Sequence, residues 1–124
     1  MKRLVVESWG LLLYFEWIMR FRGFKRLLQV IEREGSTPRV DVGFSSQELC
    51  RAVDLACVCY VKQVLCLQRS AATTLLLRRH GWTAEMVIGA KLVPFESHAW
   101  VEIDGCVVND KPYMSELYEV LERC

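Results

Sequence analysis

The sequence predicts an α+β fold, with helices in the first two thirds of the chain and a small antiparallel sheet in the last third. Three observations carry this reading. Apolar residues recur at helical spacing up to His80; the pattern switches to strand-like alternation after Gly81; and Asp104-Gly105 sits between two alternating runs, where a hairpin turn belongs. At 124 residues and 52% hydrophobic content, the chain has material for one packed domain and is too apolar for disorder.

Residues 3–33 read as one or two helices broken near Gly23. The turn formers Glu34-Gly35-Ser36-Thr37-Pro38 follow and mark the natural boundary, giving an N-terminal helical arm at 1–35 and a main domain at 45–124. Ser45, with Glu48 three residues on, forms a capping box, and Leu49, Val53, Ala56, Tyr60 and Val64 continue at helical spacing. A further helix is expected from about Cys66 to His80. Arg78, Arg79 and His80 suit the negative end of its dipole, and Gly81 can take the left-handed cap. No glycine or proline separates these two helices. The modest helix propensity of Val58, Tyr60, Val61 and Val64 nonetheless favours a bend at 61–65. A bend there puts the Cys66 sulfur at a helix amino terminus, where backbone N–H groups and the positive dipole end stabilise a thiolate. Strands are expected at 84–92, 97–103 and 106–110, then a short helix from Ser115 with Leu117, Val120 and Leu121 facing inward.

His98 and Asp110 flank the Asp-Gly turn, so a hairpin can bring imidazole and carboxylate together. Register decides whether it does. A two-residue loop, Asp104-Gly105, pairs Ile103 with Cys106, sets His98 opposite Lys111 and points Asp110 to the other side of the sheet, which breaks the site. A three-residue loop, Ile103-Asp104-Gly105, pairs Glu102 with Cys106 and sets His98 opposite Asp110. The three-residue loop is the expectation. It places Ala99, Val101 and Ile103 on one face of the strand and His98, Trp100 and Glu102 on the other. With Cys66 as nucleophile, His98 as base and Asp110 as orienting acceptor, the chain holds the groups a cysteine hydrolase needs, since a thiol attacks well only after an adjacent imidazole removes its proton. Arg69 and Glu102 are expected to form a supporting ion pair, His80 to end its helix, and Trp100 to pack beside the site.

The net charge of +1 hides an asymmetry: residues 1–40 carry eight Lys/Arg against four acids, and residues 81–124 three against eight. A solvated surface, an internal contact, an acidic partner and a membrane surface all stay open for the basic segment. Nucleic acid is disfavoured, because no aromatic-interleaved basic motif is present. The six cysteines include Cys50, Cys57 and Cys59 in helix-like apolar sequence, with no zinc spacing and no convincing signal peptide. Those three read as buried structural thiols, reduced in a cytoplasmic protein. The apolar run Trp9 to Met19 falls short of the roughly 18 to 20 residues that span a bilayer. An arm docked on its own core, on a partner protein or weakly on a membrane surface remains.

The ordered string Cys66-Leu67-x-Arg69-Ser70, Gly81-x-x-Ala84 leading into Val87-Ile88-Gly89, then Pro94-Phe95-x-x-His98-Ala99-Trp100-Val101-Glu102 and Asn109-Asp110 resembles the transglutaminase-like cysteine peptidases of bacterial lasso-peptide biosynthesis. The resemblance is close from Cys66 to Asp110 and loose in the helical segment before it. It implies a papain/transglutaminase-like core with a catalytic helix packed on a small antiparallel sheet, with Cys66 as nucleophile, His98 as general base and acid, and Asp110 orienting the imidazole. It also implies an enzyme that removes the leader from a ribosomally made precursor peptide. Such an enzyme acts with a separate leader-binding protein, which the arm would dock, and hands the core peptide to an ATP-dependent lasso cyclase. No cofactor or metal is expected. Members often carry a helix breaker just before the cysteine, and Val64-Leu65 offers none. The oxyanion donors would be the Cys66 backbone N–H and Gln63. Two other classes stay open: a transglutaminase-like acyltransferase that passes the acyl group to an amine, and a non-catalytic binding module of a peptide-maturation complex.

Overall fold

A computed structural model describes residues 2–33, 44–60, 63–92 and 95–124. The turn-rich connection at 34–38 lies outside them. Helix α1 (Lys2–Phe21) and helix α2 (Phe24–Arg33) are separated by Gly23, whose φ of 85° is the left-handed conformation that ends a helix. The N–H groups of Arg22 and Gly23 both return to Ile18 O, at 2.7 and 2.8 Å, and so satisfy the open end. Helix α3 (Ser46–Val58) begins as expected, Ser45 Oγ accepting from Glu48 N at 3.1 Å.

The helical run does break before Cys66. Cys59 caps α3, and helix α4 spans Cys66–Arg79, entered from an extended Leu65. Its end is closed through Gly81 at φ 93°, with Trp82 N returning to Leu77 O at 2.9 Å. From Ser70 to Arg78 every residue of α4 is buried, so this is the central helix, with α1 and α3 on one side and the sheet on the other. Its buried hydroxyls are satisfied within the helix or by the sheet: Thr73 and Thr74 donate to Arg69 O and Ser70 O, and Ser70 to Ala99 O.

Helix α1 is held by its apolar stripe. Leu4, Leu11, Leu12, Phe15 and Ile18 are buried in the same cluster as α3 and α4, at roughly 1.5–3 kcal/mol each before entropic costs. Its half-exposed Glu7–Arg79 pair, at 3.8 Å, is worth at most about 1 kcal/mol. Burial therefore decides where α1 lies.

The sheet is antiparallel with order β3-β2-β1-β4, where β1 is Ala84–Leu92, β2 Phe95–Ile103, β3 Cys106–Val107 and β4 Glu119–Arg123. Ala84, Met86, Ala99 and Val101 face α4 as part of the main core, whereas Val87 and Trp100 point outward under Met114 and Tyr118. This is the two-faced strand that alternation predicts. The chain end corrects the expected last helix. Only Met114–Leu117 is helical (α5), and β4 follows it along the open edge of β1, with Cys124 and Met86 exchanging backbone bonds of 2.8 and 3.0 Å. Leu117 and Leu121 are exposed, and only Val120 packs inward. The unpaired N–H and C=O groups along β1 outweighed local helix propensity. The buried Arg78 ties these layers together, donating to Ile31 O, Ala84 O and Cys124 O at 2.6 to 3.0 Å.

Gly89, opposite His98 in the β1–β2 register, is required by close approach: a Cβ there would lie 2.7 Å from Trp100 and 2.9 Å from Tyr118 Cβ. Gly89→Ala is expected to cost about 1–3 kcal/mol through overpacking, seen in thermal unfolding as a Tm several degrees below the parent protein.

Candidate active site

The hairpin closes on two residues. Asp104 and Gly105 stand at φ 51° and 79°, both in the left-handed region, the type I′ combination that matches the twist of paired strands. Ile103 pairs with Cys106 and Glu102 with Val107, so the expected three-residue loop is corrected. A two-residue register on a continuous strand would turn Asp110 away from His98. The strand does not continue. Val108 N still donates to Val101 O at 2.9 Å, but the return bond is missing its usual partner: Val101 N donates to Asn109 Oδ1 at 2.8 Å instead of to a backbone carbonyl. The side chain of Asn109 takes the place of the next ladder rung. The backbone is thereby released from the pleat, and Asp110 swings back over β2.

His98 and Asp110 consequently meet, with Nε2 and Oδ2 2.7 Å apart. The second carboxylate oxygen accepts from Lys111 N at 2.8 Å. Both oxygens are thus held, and the imidazole ring is stacked against Tyr118 and Trp100, at centroid distances of 5.6 and 6.4 Å. With Nε2 on the carboxylate, Nδ1 is the ring nitrogen left for proton transfer. Burial alone would raise the Asp110 pKa. The bond from His98, the Lys111 N–H and the nearby positive charge of Arg69 more than offset it, so the carboxyl lies below its usual range.

Asn109 also links the sheet to α4. Its Nδ2 donates to Ser70 Oγ at 3.3 Å, and its carbonyl accepts from Arg69 at 2.9 Å. Ser70 in turn donates to Ala99 O, next to His98. Ser70 is four residues after Cys66, so the two share a stripe of α4. Cys66 is half-buried in the first turn, where Leu65 supplies no side-chain cap and the initial backbone N–H groups have no intrahelical acceptor. Among the described residues no hydrogen bond joins Cys66 to His98. The structure therefore brings two of the three expected site residues into contact and places the third at the head of the helix bonded to their neighbours.

Arg69 corrects a second expectation. It pairs with Asp54 of α3, Nε to Oδ1 3.0 Å, as well as with the Asn109 carbonyl. Glu102 is instead bound by Trp100 Nε1 at 2.8 Å and Arg123 at 2.7 Å, on the outer face of the sheet. His80 caps α4 as expected. Asn109 was the site residue that sequence reasoning missed. Its one signal was an amide, able to mimic a backbone carbonyl, directly before the acid at the close of a hairpin. The one cluster of metal-type donors among the described residues, Glu32, Glu122 and Cys124, shares no residue with this site and two of its members are exposed.

Helices packed on a small antiparallel sheet fit the class to which the chain belongs, the transglutaminase-like superfamily, whose family model matches residues 9–123. It is similar to the microcin J25-processing protein McjB of Escherichia coli, 41% identical over 56 residues, which cover 45% of this chain and 27% of that protein. The matched stretch is thus about a quarter of the relative's length. No solved structure matches.

Two outcomes are expected. Asn109→Ala leaves the Val101 N–H buried without an acceptor, at about 1–3 kcal/mol, and frees the Asp110 segment; urea unfolding should show the loss. For Asp110, the folded pKa lies below the ordinary value of 3.8. Its contribution to stability is therefore complete above that value and disappears as pH falls through the depressed folded value. Thermal unfolding followed downward from about pH 5 should decline less steeply in Asp110→Asn than in the parent chain.

Proposed function

We propose that this protein is a cysteine peptidase that removes the leader from a ribosomally synthesised lasso-peptide precursor, before macrolactam cyclisation. The observation that carries the reading is the 2.7 Å His98–Asp110 contact, hydrogen-bonded through its neighbours to the helix that Cys66 opens. The similarity to a microcin J25-processing protein supports a ribosomally made peptide precursor as the substrate class.

In this mechanism His98 Nδ1 takes the proton from Cys66 while Asp110, on Nε2, fixes the ring and stabilises the imidazolium. The thiolate attacks the carbonyl at the leader–core junction. The oxyanion meets the Cys66 backbone N–H, one of the uncapped donors of α4, with Gln63, exposed just ahead of Cys66, as the second donor. Collapse breaks the peptide C–N bond, the imidazolium protonates the departing core amine, and a leader thioester remains on Cys66. Water, deprotonated by His98, hydrolyses that thioester to the leader acid and returns the thiol. The freed amine is the group that an ATP-dependent cyclase would join.

A separate leader-binding protein completes the assembly, docking on the outer face of the arm. Tyr14, Trp17, Phe21 and Phe24 are exposed there, flanked by the basic Arg20, Arg22, Lys25 and Arg26. These are the aromatic and arginine side chains that anchor protein interfaces. The setting is the cytoplasm; no helix among the described residues is long and apolar enough to cross a membrane.

The test is incubation of the chain with precursor and leader-binding protein, reading products by mass. Cys66→Ala should abolish cleavage while partner binding persists, and Asp110→Asn should lower kcat by about 10²–10⁴. Unchanged processing by Cys66→Ala would instead mark a non-catalytic binding module. Leader–amine adducts in the presence of added amines would mark an acyltransferase.

A further inference from the structure

Strand β3 covers only the last residues of β2, so among the described residues 95–99 form an open sheet edge. Val101 turns its backbone groups towards the β3 side, since Val108 N donates to its carbonyl and its own N–H goes to Asn109 Oδ1. Met86, its partner in β1, correspondingly bonds Cys124 on the far side. By alternation Ala99, Ser97 and Phe95 face the same way as Val101. Ser70 Oγ takes the Ala99 carbonyl, whereas the N–H and C=O of the exposed Ser97 have no strand opposite them among the described residues. The outer edge of β4 is built differently. A bulge interrupts it opposite Ile88 and Gly89, and it carries Glu119, Glu122 and Arg123, devices that keep an edge from pairing.

The open part of β2 runs beside the candidate nucleophile. Ser70 meets Ala99, and two turns later Arg78 meets Ala84, the β1 partner of Ile103, so α4 runs in the direction of β2. Cys66 lies four residues before Ser70, about 6 Å of helix rise, and Ser97 lies two before Ala99, about 6.6 Å of strand. Cys66 and Ser97 are therefore level, with His98 next in the strand. The approach to this point is clear. An open cavity of about 540 Å³, lined by Glu16, Met19 and Arg20 of α1 and by Gln63, Leu65 and Gln68, adjoins the start of α4.

Resting on the peptidase reading, we propose that the precursor binds as an extended segment added to the open edge of β2, antiparallel to it and in line with β3. The precursor residue opposite Ser97 donates its N–H to the Ser97 carbonyl and accepts from the Ser97 N–H, which sets the neighbouring scissile bond beside Cys66. Recognition of this kind reads the main chain. It selects an unfolded, strand-forming junction rather than a particular side chain, and it excludes a junction held in a helix or a turn.

The test measures binding to Cys66→Ala, with the leader-binding protein present, of a precursor peptide spanning the junction and methylated at one backbone nitrogen at a time. A strand presents every second N–H to its neighbour, so affinity should fall about tenfold at alternate residues around the junction and stay within about twofold at those between. Ser97→Pro removes an N–H that bonds no other strand; it should fold, as proline does at an edge, and bind the unmethylated peptide about tenfold less tightly. Ser97→Ala keeps the backbone and should bind as the parent chain does. Hydrogen exchange at the Ser97 amide should slow when the peptide binds, a readout that depends on no substitution at the edge. Methylation tolerated at every position, weakening without alternation, or unaltered exchange at Ser97 overturns the proposal. The two readings fail separately. Cleavage, at the parent rate, of every precursor methylated away from the scissile bond removes the edge alone. Alternation in binding with no cleavage by the parent chain removes the peptidase reading and leaves the edge standing.

Discussion

The hydrogen bond from Val101 N to Asn109 Oδ1 is the interaction on which the site depends. It substitutes one side-chain oxygen for one backbone carbonyl, and the exchange alters the path of the chain. A ladder that continued past Val107 would keep strict alternation and hold Asp110 on the face away from His98. With the rung filled by the amide, the buried N–H is satisfied and the backbone is free to leave the sheet. A register that looks incompatible with a His–Asp pair thereby produces one at 2.7 Å.

The same residue carries the connection between layers. Through Ser70 and Arg69, Asn109 holds the second turn of α4 to the strand that bears His98, and Arg69 extends the link to Asp54 of α3. These bonds lie in or beside a buried interface, where unpaired polar groups are costly and satisfied ones restrict geometry. Helix α4 cannot slide or rotate along the sheet without breaking several at once. Such a scaffold holds α4 in a fixed orientation to the strand that bears His98.

Packing elsewhere serves the same centre. Trp100 and Tyr118 flank the imidazole on the outer face of the sheet, and Gly89, without a side chain, makes room for them. The short β4 strand brings Tyr118 into place and covers the edge of β1. The final segment, outwardly a remnant of helix, is in fact part of the wall that keeps the His98 ring upright. On the opposite side, α1 contributes both an apolar stripe of the helical layer and three of the residues that line the cavity beside Leu65.

Most of the architecture was legible in the order of residues. The Gly23 break, the Ser45 cap, the Gly81 stop, the helix beginning at Cys66 and the two faces of β2 follow from local stereochemistry and from the period of the apolar pattern. Cys66, His98 and Asp110 were legible as chemical types in an ordered motif. Three features were decided only by the tertiary structure. The loop length, the strand at the chain end and the partner of Arg69 each turn on which distant group is left unsatisfied once the layers pack: a Val101 N–H, a bare β1 edge, an Asn109 carbonyl. Local propensity is written in neighbouring residues, whereas the demand of a buried hydrogen-bonding group exists only after folding has removed its water.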